Sequence, residues 1–190
     1  SGVGKRTLID LVLKQYGDIF DRNYYVVTRA LGSATKRRKL CASSTVFSPP
    51  SNSELTTAVQ ACLQLSSEGD CSESANGRIG QWDVSKVTDM SKLFAFSKFG
   101  GNISKWDVSR VTDMCLLFYE KTSFNSDVSK WDVSRVTNMH SMFMQATSFT
   151  GDVSKWDVSS VTDMRRMFYY VKSFNGDLSK WDVSTVVDMS

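Results

Sequence analysis

A lysine set behind small residues heads the chain: Ser1-Gly2-Val3-Gly4-Lys5, followed by Arg6 and Thr7. This is the makeup of the closing part of a phosphate-binding loop, in which glycines let backbone amides surround phosphate oxygens and a lysine meets their charge. Gly2, Gly4, Lys5 and Thr7 are the candidate nucleotide contacts here. Little else in the chain has catalytic composition. His140 is the single histidine, so no Ser/His/Asp set is expected, and without a Cys-x-x-Cys pair a zinc site is not expected either. Of four cysteines, only Cys62 and Cys71 lie close together, and a disulfide between them could staple the intervening loop in an oxidising compartment. Lys36-Arg37-Arg38-Lys39 is the one dense basic cluster. It reads as a solvated linker or as a nuclear-import or nucleic-acid tail; no aromatic residue interrupts it, and no nucleic-acid partner is expected.

The phosphate loop needs a helix behind it and a strand beyond. Leu8, Ile9, Leu11, Val12 and Leu13 form a broad apolar stripe suited to a buried helix, and Tyr24-Tyr25-Val26-Val27 reads as a strand. With Thr7-Leu8-Ile9, Asp18-Ile19-Phe20 and Thr28-Arg29 in these places, residues 1–29 resemble the amino-terminal segment of guanylate kinases. The resemblance implies that Lys5 faces ATP phosphates and that Arg29 touches a nucleotide monophosphate. There are departures: Arg6 stands where many such loops place a magnesium-binding hydroxyl, and Leu31-Gly32-Ser33-Ala34 replaces an arginine-bearing Pro-Arg-x-Gly-Glu stretch. The rest of the kinase sheet, the lid and the guanine pocket have no counterpart. The expectation is a P-loop fragment over residues 1–31, with no cofactor beyond the ATP the resemblance suggests and no kinase activity.

A hydrophobic content of 41% with 23% charged residues and a net charge of +3 is ordinary for a globular domain. No apolar run approaches a membrane span and no secretion signal is visible, so no membrane span is expected. Ser1 in place of Met, and Ser190 inside a repeat, lead one to expect a chain cut at both ends. Residues 32–52 turn rich in Ser, Thr, Lys, Arg and Pro, ending near Pro49-Pro50, and read as a linker. Ser53 is then expected to cap a helix bearing Leu55, Val59, Cys62 and Leu63, within a helical cap over residues 53–80.

From residue 81 onward Trp-Asp-Val-Ser recurs, beginning at Trp82, Trp106, Trp131, Trp156 and Trp181, and takes every tryptophan in the chain. A unit of about 25 residues cannot bury its own apolar side chains, so neighbouring copies must share one core. The expected fold is α/β: a leucine-rich-repeat-like solenoid over residues 81–190 whose units each hold a short strand and a short helix, the helix in the fourth copy running from Met164 to about Val171 behind Thr162 and Asp163 as caps. Ile103, Val128, Val153 and Leu178, and Phe94, Phe118, Phe143 and Phe168, form apolar columns. Asp83, Asp107, Asp132, Asp157 and Asp182 form one acidic column; Asp89, Asp113, Asp163 and Asp188, interrupted by Asn138, form another. Their repulsion needs relief from caps, from the lysine column Lys105, Lys130, Lys155 and Lys180, or from bound calcium, with caps preferred and no metal site expected.

The unit resembles the BspA-like leucine-rich repeat surface proteins, which repeat W-D-V-S-x-V-T-x-M-x-x-M-F-x-x-A-x-x-F-N. The resemblance takes in residues 77–190 and the helix before them. It implies a non-enzymatic surface or secreted adhesion module that binds a protein or a glycan. Arg165, Arg166, Tyr169 and Tyr170, which break the column pattern, are the candidate contacts. Asn102-Ile103-Ser104 is a glycosylation acceptor pattern, relevant to a secreted chain.

Overall fold

The computed structural model describes residues 46–190. The phosphate-loop residues, the guanylate-kinase-like segment and the linker up to residue 45 therefore lie outside the described residues.

Among the described residues a single α-helix, α1, spans Asn52–Leu65. Its cap is Ser51 rather than Ser53: the Ser51 hydroxyl accepts the Glu54 N–H at 3.3 Å, and Glu54 places negative charge at the positive end of the helix. Leu55, Ala58, Val59 and Cys62 recur at helical spacing and are buried as one stripe against the first repeat. Asn52 Oδ1 accepts the Thr88 N–H at 3.2 Å, and the backbone before α1 is tied in through Asp83 N–H to Phe47 O at 2.9 Å. The Phe47 ring meets Trp82 edge-on at 4.9 Å. At the far end of α1, Cys62 is bonded to Cys71 across 5.6 Å between Cα atoms. Gly69 lies in that loop at φ 71° with Ile79 packed over it, a backbone conformation that a side chain would strain.

Taking repeat 1 as residues 79–102, repeat 2 as 103–127, repeat 3 as 128–152, repeat 4 as 153–177 and repeat 5 from 178, successive repeats lie side by side. The expected strand-plus-helix unit does not form. Strand-type pairing between repeats consists of single parallel bridges, Asp89 with Asp113, Asp113 with Asn138, Asn138 with Asp163 and Asp163 with Asp188, and no sheet is built among the described residues. Nor is there a helix after the bridge. The N–H groups of Met90, Lys92 and Phe94 leave their own repeat for Asp113 O, Cys115 O and Leu117 O, at 2.9, 2.8 and 3.3 Å. Those of Leu93, Ala95 and Ser97 turn back to the carbonyl three residues earlier. A helix spends every donor on its own carbonyls four residues back; here alternate donors are spent on the neighbour. The backbone reaches this alternation through left-handed residues, Lys92 and Phe96 at φ 59° and 57°, with Leu116 and Glu120, Ser141 and Gln145, and Arg166 and Tyr170 in the same two places of repeats 2 to 4. Arg166 and Tyr170 thus interrupt the helix expected from Met164, and Asp163 caps a turn instead.

The core is a set of side-chain ladders. Phe94, Phe118, Phe143 and Phe168 stack at 6.0, 5.4 and 5.7 Å, and Phe99, Phe124, Phe149 and Phe174 make a second file beside them. Within a repeat the files touch at about 4 Å, as in Phe118 with Phe124 at 3.9 Å and Phe143 with Phe149 at 4.1 Å. The tryptophans complete it. Trp106, Trp156 and Trp181 each donate the indole N–H to a carbonyl of the preceding repeat, Ile79, Val128 and Val153, at 2.9, 3.1 and 3.0 Å. Each ring thus satisfies its one polar group, with Trp106 and Trp156 buried and Trp181 partly so.

Candidate functional site

With the columns committed to the core, what remains for function is the outer ridge formed by the left-handed turns. The places nine, ten, thirteen and fourteen after the tryptophan lie on these turns; all four are exposed in repeat 4, whereas Ser141 of repeat 3 is buried and Cys115, Leu116 and Tyr119 of repeat 2 are half-buried. In repeat 4 the four places hold Arg165, Arg166, Tyr169 and Tyr170, the four residues singled out by sequence. Tyr169 and Tyr170 are 48% and 59% exposed and meet edge-on at 4.4 Å. Arg165 is differently placed. Its guanidinium forks onto Asp163, with Nε 3.0 Å from Oδ1 and 3.2 Å from Oδ2, and lies 3.7 Å from Asp188. Those hydrogen bonds hold the Asp163 carboxyl below the usual carboxylate range, so Arg165 is largely occupied by the acidic column that it neutralises.

Phe96 was not singled out by sequence, because it sits within an apolar run that reads as core. It is 74% exposed, with its ring 5.0 Å from Tyr119 of repeat 2. The available signal was its column: the equivalent places hold Glu120, Gln145 and Tyr170, none of them a core residue.

The aspartates are structural. Asp83, Asp107, Asp132, Asp157 and Asp182 each accept the N–H of the serine two places on at 3.0 to 3.1 Å. Asp89, Asp113, Asn138, Asp163 and Asp188 close a second set of such turns. A third runs through Asn102, Asp127, Asp152 and Asp177. Serine hydrogen bonds depress the Asp157 and Asp182 carboxyls below their usual range. The lysine column makes no ion pair within 4 Å among the described residues; the paired groups are Arg78, Arg165 and His140. Among these residues no group of three metal-ligating side chains converges.

Cys115, His140 and Asp163 fall in adjacent repeats, but they are not arranged for nucleophilic catalysis. His140 Nδ1 is 3.9 Å from Asp163 Oδ1, beyond a hydrogen bond, and is a buried atom without a partner. Burial, then the Asp113 carboxylate, pushes the Cys115 thiol up, away from the thiolate a nucleophile needs. The candidate nucleotide contacts Gly2, Gly4, Lys5, Thr7 and Arg29 lie outside the described residues. Among the described residues no helix is long and apolar enough to cross a membrane.

A family model described as "Mycoplasma protein of unknown function, DUF285" matches the chain twice, over residues 64–154 and 95–190, so that the two matches together cover the repeats. Residues 1–63, including the guanylate-kinase-like segment, lie outside both matches. No curated protein and no solved structure matches the chain. With two thirds of its length inside the two overlapping matches, the chain belongs to the family of Mycoplasma proteins of unknown function, DUF285.

Proposed function

We propose that the repeats form a non-enzymatic binding module of the surface-adhesion type, presenting variable side chains to a protein or glycan partner. The observation that supports this is the division of labour within each unit: apolar columns are buried, aspartates are spent on turns, and the left-handed turns, backed by a hydrogen-bonded ladder, carry side chains that differ from repeat to repeat. Repeat proteins form extended surfaces of this kind, with one contact set per repeat. The resemblance to BspA-like surface proteins adds the surface or secreted location. To test the reading, the full chain is assayed against panels of purified proteins and glycans, then again with Arg165, Arg166, Tyr169 and Tyr170 replaced by serine. Loss of binding with an unchanged melting temperature is expected; binding that survives the four replacements overturns the assignment.

The second reading rests on Ser1-Gly2-Val3-Gly4-Lys5, a nucleotide-binding remnant without kinase activity. It requires ATP or GMP binding that disappears in Lys5→Ala. A flat titration at millimolar nucleotide eliminates it.

A further inference from the structure

Two of the four ridge turns carry the same pair of residues, a cation at the first left-handed position and an aromatic ring at the second. In repeat 1 these are Lys92 and Phe96; in repeat 4 they are Arg166 and Tyr170. Repeats 2 and 3 hold Leu116 with Glu120 and Ser141 with Gln145 in those places. Neither conformation nor burial accounts for the rings. A left-handed backbone costs a residue with a side chain roughly 1 to 2 kcal/mol relative to glycine, and asparagine bears it more easily than an aromatic residue. That strain is not repaid by the core at Phe96, which is 74% exposed although repeat 2 packs beside it. The same left-handed backbone recurs in repeats 2 and 3, so what sets these two turns apart is an aromatic ring four residues after a cation, with Phe96 held in solvent where it can meet a ligand.

The chemistry of the ridge selects the ligand class. Lys92 and Arg166 have no acidic partner within 4 Å among the described residues, whereas Arg165 is already neutralised by Asp163. The two unpaired cations, each four residues before an exposed ring, complement acidic groups lying next to apolar ones. Phe, Tyr, Met and Arg are the side chains enriched where proteins meet proteins, and the ridge runs Phe96, Tyr119, Met144, Tyr169, Tyr170 with Arg166. In repeats 2 and 3 the N–H groups of Glu120 and Gln145 are spent on the carbonyls of Met144 and Tyr169, which turns the ridge to side-chain contact there rather than strand addition. Three repeat spacings of about 4.8 Å place the two pairs roughly 14 Å apart.

Building on the binding-module reading, we infer that the two cation–aromatic turns, Lys92 with Phe96 and Arg166 with Tyr170, form a two-point docking surface for an acidic protein partner.

The test selects a displayed random-peptide library on the full chain and, in parallel, probes the chain with an array of neutral and acidic glycans. Both are repeated on the double variant Phe96→Asn, Tyr170→Asn. Asparagine tolerates the left-handed backbone, so the variant is expected to melt at or above the temperature of the parent. Selected peptides are expected to be rich in Asp and Glu beside apolar residues, to bind the variant about tenfold or more weakly, and to weaken as salt rises from about 50 to 500 mM. Peptides that are neutral or basic, or that bind the variant equally, overturn the inference while leaving a binding module in place. Glycans whose binding is lost in the variant, with no acidic peptide selected, also overturn it and favour the glycan form of that reading. If neither library nor array yields a ligand for the parent chain, the inference and the binding-module reading fail together.

Discussion

Lys121 is the residue most out of keeping with its surroundings. It is 1% exposed and occupies a column otherwise filled by Ser97, Ala146 and Val171. Its amine donates to Ser97 Oγ at 2.8 Å, and no carboxylate lies within 4 Å among the described residues. Burial lowers its pKa to about 8. The unfolded chain therefore holds this proton more tightly than the fold, and stability contributed by Lys121 rises with pH between about 8 and the ordinary lysine value near 10.5. Below pH 8 both states are protonated and the cost is complete. Lys121→Met keeps length and volume without the charge, and Ser97 still donates to Phe94 O at 2.7 Å. The variant is expected to gain about 1 to 2 kcal/mol at pH 7, allowing for partial solvent screening. Denaturant titrations at pH 7 and pH 10 check this: the gain should shrink at the higher pH.

At the scale of elements, α1 and the left-handed turns contrast in what holds them. The helix is made by local signals, a serine cap, an acidic first turn and an apolar stripe, and is then anchored at both ends. Asn52 ties its start to Thr88, while the Cys62 to Cys71 bond ties its last turn to the loop that leads into Ile79. Closing so short a loop stabilises the fold by about 2 to 3 kcal/mol through the unfolded chain. Dithiothreitol is expected to lower the melting temperature accordingly, and Cys62→Ala/Cys71→Ala should match the reduced protein and no longer respond to the reagent. The turns have no comparable local signal. Leucine, serine, arginine and lysine do not favour a left-handed backbone, and they adopt it because the neighbouring repeat receives the N–H of each, as Leu116 N–H is received by His140 O at 2.9 Å. This is why the methionine segment could not be read from its own residues: Met164 to Val171 has helical composition, and pairing with repeat 5 overrides it.

Across the whole molecule, stability passes from repeat to repeat through a few shared rings. Phe143 touches Phe118, Phe149 and Phe168 at 5.4, 4.1 and 5.7 Å, so it joins repeats 2, 3 and 4 at once. Phe143→Ala removes about 3 to 5 kcal/mol. In a stack held by nearest-neighbour contacts the loss should uncouple the repeats on its two sides. Hydrogen exchange is the check: the amides of Met164 and Arg166, which bond to repeat 5, should exchange much faster, while Lys92 and Phe94 N–H, bonded to repeat 2 and backed by α1, stay protected. Uniform acceleration along the chain would show instead that the repeats unfold as one unit.

Sequence by itself determined the period and the identity of the apolar columns, because these depend only on residue type at fixed spacing. Burial of Trp106, Phe118, Val128 and Met139 follows from that spacing whatever backbone carries them. The tertiary structure decided the rest. Single bridges and left-handed turns in place of strands and helices, Lys121 shut inside and Phe96 left outside all depend on where a neighbouring repeat receives an N–H or covers a side chain. Such contacts join residues about one repeat apart, 23 positions for Met90 with Asp113 and 24 for Lys121 with Ser97, and no local run of amino acids encodes them.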